Sequence, residues 1–255
     1  MSNRRRLDAE LVRRKLADSR ADAQRLIDAR QVTVNGALAD KAARQVDAGD
    51  ALKLLGPPKR YVSRGGDKLA AALDAFAIDP TAKLVLDAGS STGGFTDCCL
   101  QRGARRVIAV DVGYNQLHEK LRVDPRVDSH ERFHVKDLSA ERFGEVDLLV
   151  GDLSFISLTK VVEPLLRVTR RGGDLVLLVK PQFEAGRSEV SKGKGIITDP
   201  EVHARTVAEV TAAFEAAGAV KMGTITSPIH GAEGNTEFLV WFRRSPDNPA
   251  LQEPS

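Results

Sequence analysis

The chain has 255 residues, 42% hydrophobic and 29% charged, the balance of a globular protein long enough for about two domains. No run of about 18 apolar residues occurs, which excludes a membrane-spanning helix of the usual kind. The basic opening MSNRRRLDAE leads into a polar helical pattern rather than an apolar signal core. The two cysteines, Cys98 and Cys99, are adjacent, so they neither bridge each other ordinarily nor make a metal site alone. These features read as a cytoplasmic protein. The net charge of +3 is unevenly placed: residues 1–68 hold 16 Lys and Arg against 9 Asp and Glu, the remainder 22 against 26. A small basic module joined to a mildly acidic larger one suggests a polyanion partner for the first part.

In the basic module, LDAELVRRKLA sets Leu7, Leu11 and Leu16 near one helical face, with Arg13, Arg14 and Lys15 elsewhere. Ser19 starts a second helix, with Asp22 three residues on as a capping-box variant and Ala23, Leu26 and Ile27 facing inward. VTVNG is a short strand ending in the hairpin turn Asn35-Gly36, and Asp47 to Asp50 turns the chain into a last strand, ALKLL. R-x-D at Arg6 to Asp8, S-R-x-x-A at Ser19 to Ala23 and V-T-V-N-G together resemble the S4 RNA-binding domain over about residues 5–55. The resemblance implies docking on folded RNA by phosphate and shape contacts from a basic helical face. Arg4, Arg5, Arg6, Arg13, Arg14 and Arg20 are the candidates, and with few aromatics present stacking is not this module's main tool. The expected boundaries are an S4-like domain at 1–58 and a linker at 59–66, where Pro57-Pro58 stop the strand and Gly65-Gly66 loosen the chain. Lys59, Arg60 and Arg64 could track RNA across that join.

From residue 67 to 245 strand and helix patterns alternate. DKLAAALDAFAI reads as a helix, KLVLD as a buried strand, FTDCCLQRG as a helix, RVIAVD and VDLLVGD as strands. Leu158 to Val168 reads as a helix, DLVLLVK as a strand, Pro200 to Ala217 as a long helix, and two closing strands fall near 220–226 and 237–242. This predicts an α/β fold with a doubly wound, mostly parallel sheet, whose ligands sit at the carboxyl ends of the strands. Residues 246–255 are expected to be a disordered tail.

The loop after the first of these strands, LDAGSSTGGFTD, decides the ligand class. It lacks the G-K-[ST] of a P-loop, and it reads G-x-x-x-G-G where a dinucleotide fingerprint needs G-x-G-x-x-G. Asp111, about 20 residues on at the next strand's tip, can accept both hydroxyls of a ribose. A nucleoside without a pyrophosphate fits, and S-adenosylmethionine is such a ligand. Asp87, Gly89, Gly93 and Gly94, with Ser90 and Phe95 beside them, are the loop's candidates. Further along, Asp152 in GDLSF, Lys180 in LLVKPQFE and Glu237 in GNTEFLVW stand at strand ends on one rim, and Lys68 opens the domain's first helix.

A Lys, Asp, Lys, Glu set of this kind resembles the catalytic tetrad of the FtsJ/RrmJ-like 2'-O-ribose methyltransferases. With the S4 module in front, nearly the whole chain is similar to the TlyA family of ribosomal RNA methyltransferases, also called hemolysins. The carrying motifs are SRGGDKL, LDAGSSTGGFTD, AVDVGYNQL, GDLSFISL, VKPQFE and GNTEFLVW. The resemblance implies Lys68, Asp152, Lys180 and Glu237 as the tetrad, Gly89, Ser90, Gly93, Asp111 and Asp137 around the cofactor, and cytidine ribose in 16S RNA, 23S RNA or both as substrate. Tyr61 departs from members that carry a tryptophan there. In the implied chemistry Lys180 either accepts the 2'-hydroxyl proton as a neutral amine or stays charged and stabilises the developing alkoxide. The alternative class is a membrane-active hemolysin, or an RNA-binding protein with a non-catalytic methyltransferase-like domain. The histidines 118, 130, 134, 203 and 230 show no ligand spacing, so no metal is expected. Cys98 and Cys99 read as packing, Phe155 as either a base-stacking or a core side chain, and 184–200 as a glycine-rich loop beside the site whose Lys192 and Lys194 could touch RNA.

Overall fold

The computed structural model describes residues 4–17, 19–55, 60–193, 195–231 and 234–246, the side chains of Arg187, Ser188 and Lys192 apart. Lys59, Lys194, the Pro57-Pro58 step and residues 247–255 of the expected tail lie outside the described residues. The chain divides into two compact units, Met1–Lys59 and Arg60–Ser255.

In the first unit β1 (Arg5–Arg6) leads into α1 (Leu7–Arg13), and α2 (Arg20–Asp28) starts at Ser19, whose hydroxyl accepts the Asp22 N–H at 3.1 Å. β2 (Val32–Val34), β3 (Ala37–Leu38), β4 (Gln45–Val46) and β5 (Leu52–Leu54) follow. β2 is the centre of a three-stranded antiparallel sheet between β3 and β5, turning into β3 at Asn35-Gly36 with φ of 52° and 84°. β1 pairs with β4, a two-residue ladder too short to leave a pattern in the sequence. Leu7, Leu11, Ala23, Ile27, Val32 and Val34 close the core.

Two carboxylates sit in the wall of this small core. Glu10, 2% exposed, accepts from Arg13 at 2.6 and 2.7 Å and from Arg14 at 2.7 Å; Asp8, 4% exposed, accepts from Arg6 and Arg20, each at 2.9 Å. Charges this enclosed persist only when matched. Above all the Arg13 guanidinium holds Glu10 at about 2, and that of Arg6 does the same for Asp8.

The second unit is a seven-stranded sheet of order β11-β12-β10-β9-β6-β7-β8. Its elements in chain order are α3 (Gly65–Ala75), β6 (Leu84–Ala88), α4 (Gly94–Gln101), β7 (Arg106–Val110), α5 (Glu119–Arg122), β8 (Val127–His130) and α6 (Ala140–Phe143). Then come β9 (Val146–Gly151), α7 (Val162–Val168), β10 (Thr169–Val179), α8 (Pro181–Glu184), α9 (Arg187–Lys192), α10 (Pro200–Ala216), β11 (Ala219–Thr226) and β12 (Phe238–Arg244). β12 runs antiparallel to both neighbours, and the pairings among β10, β9, β6, β7 and β8 are parallel. Alternation along the strands feeds two cores. Leu86, Leu149, Leu177 and Val240 pack under α7 and α10, while Val85, Leu148, Val176 and Leu239 pack under α3 and α4.

Sequence and structure differ at several places, and α1 ends at Arg13, short of the expected Leu16. β8 reads VDSH, with no apolar run to mark it, because this edge strand is only half covered. α3 begins at Gly65 itself, since Gly66 packs flat on the buried Tyr61 ring: a Cβ at Gly66 would lie 2.3 Å from Tyr61 Cγ. Tyr61, in the stretch expected as linker, thus belongs to the second unit's core, and the Asp97 carboxylate fixes the next residue by accepting the Val62 N–H at 2.9 Å. The segment 184–200 carries the short helix α9, held to α10 by Arg205, 2.6 Å from Glu189. Cys98 and Cys99 are core residues, and burial pushes the Cys98 thiol up to about 11. Among the described residues no helix is long and apolar enough to cross a membrane.

Because Asp8 and Glu10 are depressed in the folded state, their stabilisation is complete above the ordinary carboxylate range and is lost as pH falls from about 4.5 toward 2. Glu10→Gln is expected to cost the first unit about 1–3 kcal/mol at pH 7 and to flatten this acid limb. Amide NMR of residues 7–54 in the intact chain, followed through denaturant and pH, reads both effects; an unchanged acid limb would remove the carboxylate from the account.

Candidate active site

The parallel order sets the C-terminal ends of β8, β7, β6, β9 and β10 side by side along one rim, about 4.8 Å apart. A cavity of about 1090 Å³ opens along it. One end is lined by Asp111, Val112, Gln116 and Phe133 to Lys136, the middle by Gly89, Asp152 and Leu153, and the other end by Ser154 to Ser157, Gln182 and Phe183.

Asp111 follows β7, and its two oxygens accept the N–H groups of Ser91 at 2.8 Å and Gly113 at 2.6 Å, which fixes the carboxylate at the cavity edge with lone pairs left over. Gly89, at φ 82°, lies against the chain leaving β9: a Cβ there would meet the Asp152 carbonyl at 2.8 Å, so no other residue leaves the floor open. The other loop candidates do different work. Ser90 is buried, its N–H bonded to the Val110 carbonyl; Gly94 lets α4 approach α3, where a Cβ would lie 2.8 Å from the Gly66 nitrogen. Gly93 faces Leu117 and Leu121, and Phe95 is in the core. Asp137 is exposed on the turn Val135–Asp137, one residue past the lining. Asp87 is fully buried below the loop. Its Oδ2 accepts the Thr96 hydroxyl at 2.6 Å, and its Oδ1 has no partner. Burial, with Asp152 and Asp111 adding repulsion, pushes this carboxyl up to about 7.

The four strand-end and helix candidates form two ion pairs. Lys180, capping α8 straight after β10, lies 2.5 Å from Asp152 Oδ1 and donates to Ser154 Oγ at 2.9 Å. Lys68, one turn into α3, donates to Glu237 Oε2 at 2.5 Å. Both lysines are 8% exposed and Glu237 2%, so each cation has its counter-ion at the point of burial. The antiparallel pairing Val179↔Phe238 puts Glu237 beside Lys180 on the rim.

Residues that the sequence reading passed over also line the cavity, among them Phe133, Val135, Leu153, Gln182 and Phe183. Gln182 and Phe183 stand next to Lys180 in VKPQFE, a signal that proximity could have flagged; Phe133 and Val135 follow the unread strand β8. Phe155 is 92% exposed at φ 62°, a strained setting for an aromatic residue, with its ring centroid 5.3 Å from that of Phe183. It is not a core side chain.

Of the basic candidates, Arg5, Arg6, Arg13 and Arg20 are 46–63% exposed, each held on one edge by Asp8 or Glu10. Arg14 differs: its guanidinium donates to the carbonyls of Asp47, Ala48 and Asp50 as well as to Glu10. Arg4 meets Asp47 at 3.2 Å, and Arg60 lies over the Tyr61 ring. Arg64 caps α3. Among the described residues no group of three His, Cys, Asp or Glu could hold a metal.

A sheet of this order, with a ribose-type carboxylate beside a glycine floor and paired lysines on the same rim, is the architecture of a Rossmann-like methyltransferase. Comparison bears this out. Residues 61–244 match the FtsJ-like methyltransferase family model and residues 5–52 the S4 domain model. The 16S/23S rRNA (cytidine-2'-O)-methyltransferase TlyA of Mycobacterium tuberculosis is 47% identical over 97% of this chain and 92% of its own. Hemolysin A of Brachyspira hyodysenteriae is 41% identical over 93% of this chain and 99% of its own. A solved Streptococcus thermophilus structure described as a hemolysin superposes with a TM-score of 0.80 at 40% identity, covering 99% of this chain and 93% of that one. The chain belongs to the FtsJ-like methyltransferases, and within them to the S4-domain TlyA family. Membership implies S-adenosylmethionine as methyl donor.

The unpartnered Asp87 oxygen gives a pH test. The folded chain holds that proton up to about 7 while the unfolded chain releases it near 4, so stability falls as pH rises from about 4 to 7 and is level above. Asp87→Asn is therefore expected to gain stability relative to the parent at pH 8 but not at pH 4. Urea unfolding at both pH values checks it; the same difference at both would mean the carboxyl does not titrate in this window.

Proposed function

We propose that the protein transfers a methyl group from S-adenosylmethionine to the 2'-hydroxyl of a cytidine in ribosomal RNA. The observation that carries this reading is the pair of buried lysine–carboxylate contacts beside a cavity with room for two nucleosides. When bound, the cofactor supplies a methyl carbon on a sulfonium, open to in-line displacement without metal or covalent intermediate.

Asp111 would accept from the cofactor ribose, and Gly89 would let the ligand lie close to the chain. The target nucleotide would then enter at the Ser154–Phe183 end. Lys180, held by Asp152 and Ser154 of the lining, would meet the 2'-oxygen, either taking its proton or steadying the developing negative charge. Asp152 fixes Lys180 at 2.5 Å, and Glu237 fixes Lys68. Exposed Phe155 would stack on the target base. The two S4-unit carboxylates hold Arg5, Arg6, Arg13 and Arg20 fixed with their outer edges open, a geometry suited to RNA phosphates.

Transfer of labelled methyl to isolated ribosomal subunits, with the modified nucleotide mapped, tests the reading directly. Lys180→Ala is expected to reduce the rate at least about 100-fold while cofactor affinity stays within about twofold. A variant near the parental rate would sink the assignment.

The first unit carries the basic excess, so a chain beginning at residue 60 should bind cofactor normally and lose most affinity for the subunits. Binding of the intact chain should weaken steeply with added salt through counterion release. Salt-independent binding, or a fully active truncated chain, would contradict the role given to the S4 unit.

A further inference from the structure

We infer that Glu184 is a positioning residue for methyl transfer: it clamps the loop after β9 to α8, and so sets the Ser154 hydroxyl against Lys180. The inference rests on the methyl-transfer reading above and adds the residue that keeps its proposed reacting group in place.

Three observations carry it. First, α8 is a single turn, and the loop from Asp152 to Leu158 is tied to it at both ends. At the start of the turn Lys180 lies 2.5 Å from Asp152 and donates to Ser154 Oγ at 2.9 Å. At its end the two oxygens of Glu184 accept separately, Oε2 from the Ser157 hydroxyl at 2.6 Å and Oε1 from the Leu158 N–H at 2.9 Å. Ser154 to Ser157 all line the cavity, so the clamp lies across the wall of the site.

Second, Phe155 stands between the two ties at φ 62°. A bulky residue keeps such a backbone only where the chain on either side is held. With the ring 92% exposed, packing of its own side chain contributes little, and the ties do the holding. Third, the residue type fits the task. Ser157 and Leu158 present two donors side by side, and a carboxylate meets them with an acceptor on each oxygen, where an amide has one oxygen. α10 packs against both α8 and the turn Leu158–Lys160. Each piece therefore stays on α10 without Glu184, and the change falls on the alignment of Ser154 with Lys180.

The experiment measures methyl transfer by the full chain to isolated ribosomal subunits, with cofactor Kd read separately by calorimetry. Glu184→Ala is expected to lower kcat about tenfold or more, while KM for the subunits and cofactor Kd stay within about threefold of the parent. Glu184→Gln can still accept the Leu158 N–H and donate to the Ser157 oxygen, so its kcat should recover to within about threefold of the parent. Glu184→Asp keeps the charge but falls one methylene short of the loop, and its kcat should lie between those of the other two. Parental kcat in folded Glu184→Ala would overturn the proposal, and where that variant does not fold, parental kcat in Glu184→Asp would do so. A Glu184→Gln variant as slow as Glu184→Ala would also overturn it, because the hydrogen-bonded tie would then not be what matters. So would a loss confined to cofactor Kd. No transfer by the parent to either subunit would instead overturn the reading on which this one rests.

Discussion

The insertion of β12 between β10 and β11 is the constraint on which the site depends. An antiparallel strand there starts where its neighbour β10 ends, so Glu237 arrives on the same rim as Lys180 although 57 positions separate them in the sequence. The same residue then meets Lys68, from α3, which packs against β12. No parallel strand could do this, because its first residue would fall at the opposite edge of the sheet. The rim is thus assembled from four separate stretches of chain, and the pairing register decides which of them touch.

Burial makes that assembly exacting. A lysine with 8% of its surface exposed is unfavourable without a counter-ion, so Lys68 and Glu237 stabilise each other's position, as Lys180 and Asp152 do. Lys180 also shares the Ser154 hydroxyl, which lines the cavity. Packing at the glycines serves the same end. Gly66 over Tyr61 and Gly94 against Gly66 bring α3 and α4 close, and that closeness carries Lys68 toward the rim. The glycine loop thereby acts largely on helix packing, and Gly89 is the member of the set at the cavity itself.

The first unit uses charge in a different way. Its small core cannot hide many polar groups, yet it keeps Asp8 and Glu10 almost wholly enclosed, each ringed by arginines. These carboxylates orient guanidiniums that would otherwise sweep a large volume, which would lower the entropy lost in the proposed contact with RNA. Arg14 shows the other use of a cation, since its bonds to three carbonyls hold the Asp47–Asp50 turn that leads into β5.

Much of this was legible in the chain itself. Alternation and glycine spacing gave the strand-and-helix order, the missing second glycine removed a dinucleotide, and VTVNG marked its hairpin, because these depend on local geometry. The sequence also picked out Lys68, Asp152, Lys180 and Glu237, as polar residues at strand ends and a helix start. It left undecided who pairs with whom, since pairing follows from sheet order and not from spacing. It missed β8, whose polar VDSH lies at an edge with little to bury. It left Phe155 balanced between core and surface, and treated Tyr61 as linker. For single aromatic residues nothing local settles the matter. Whether such a ring is covered depends on which distant element lies over it: Gly66 lies on Tyr61, and Phe155 stands exposed at the cavity mouth with the Phe183 ring 5.3 Å away.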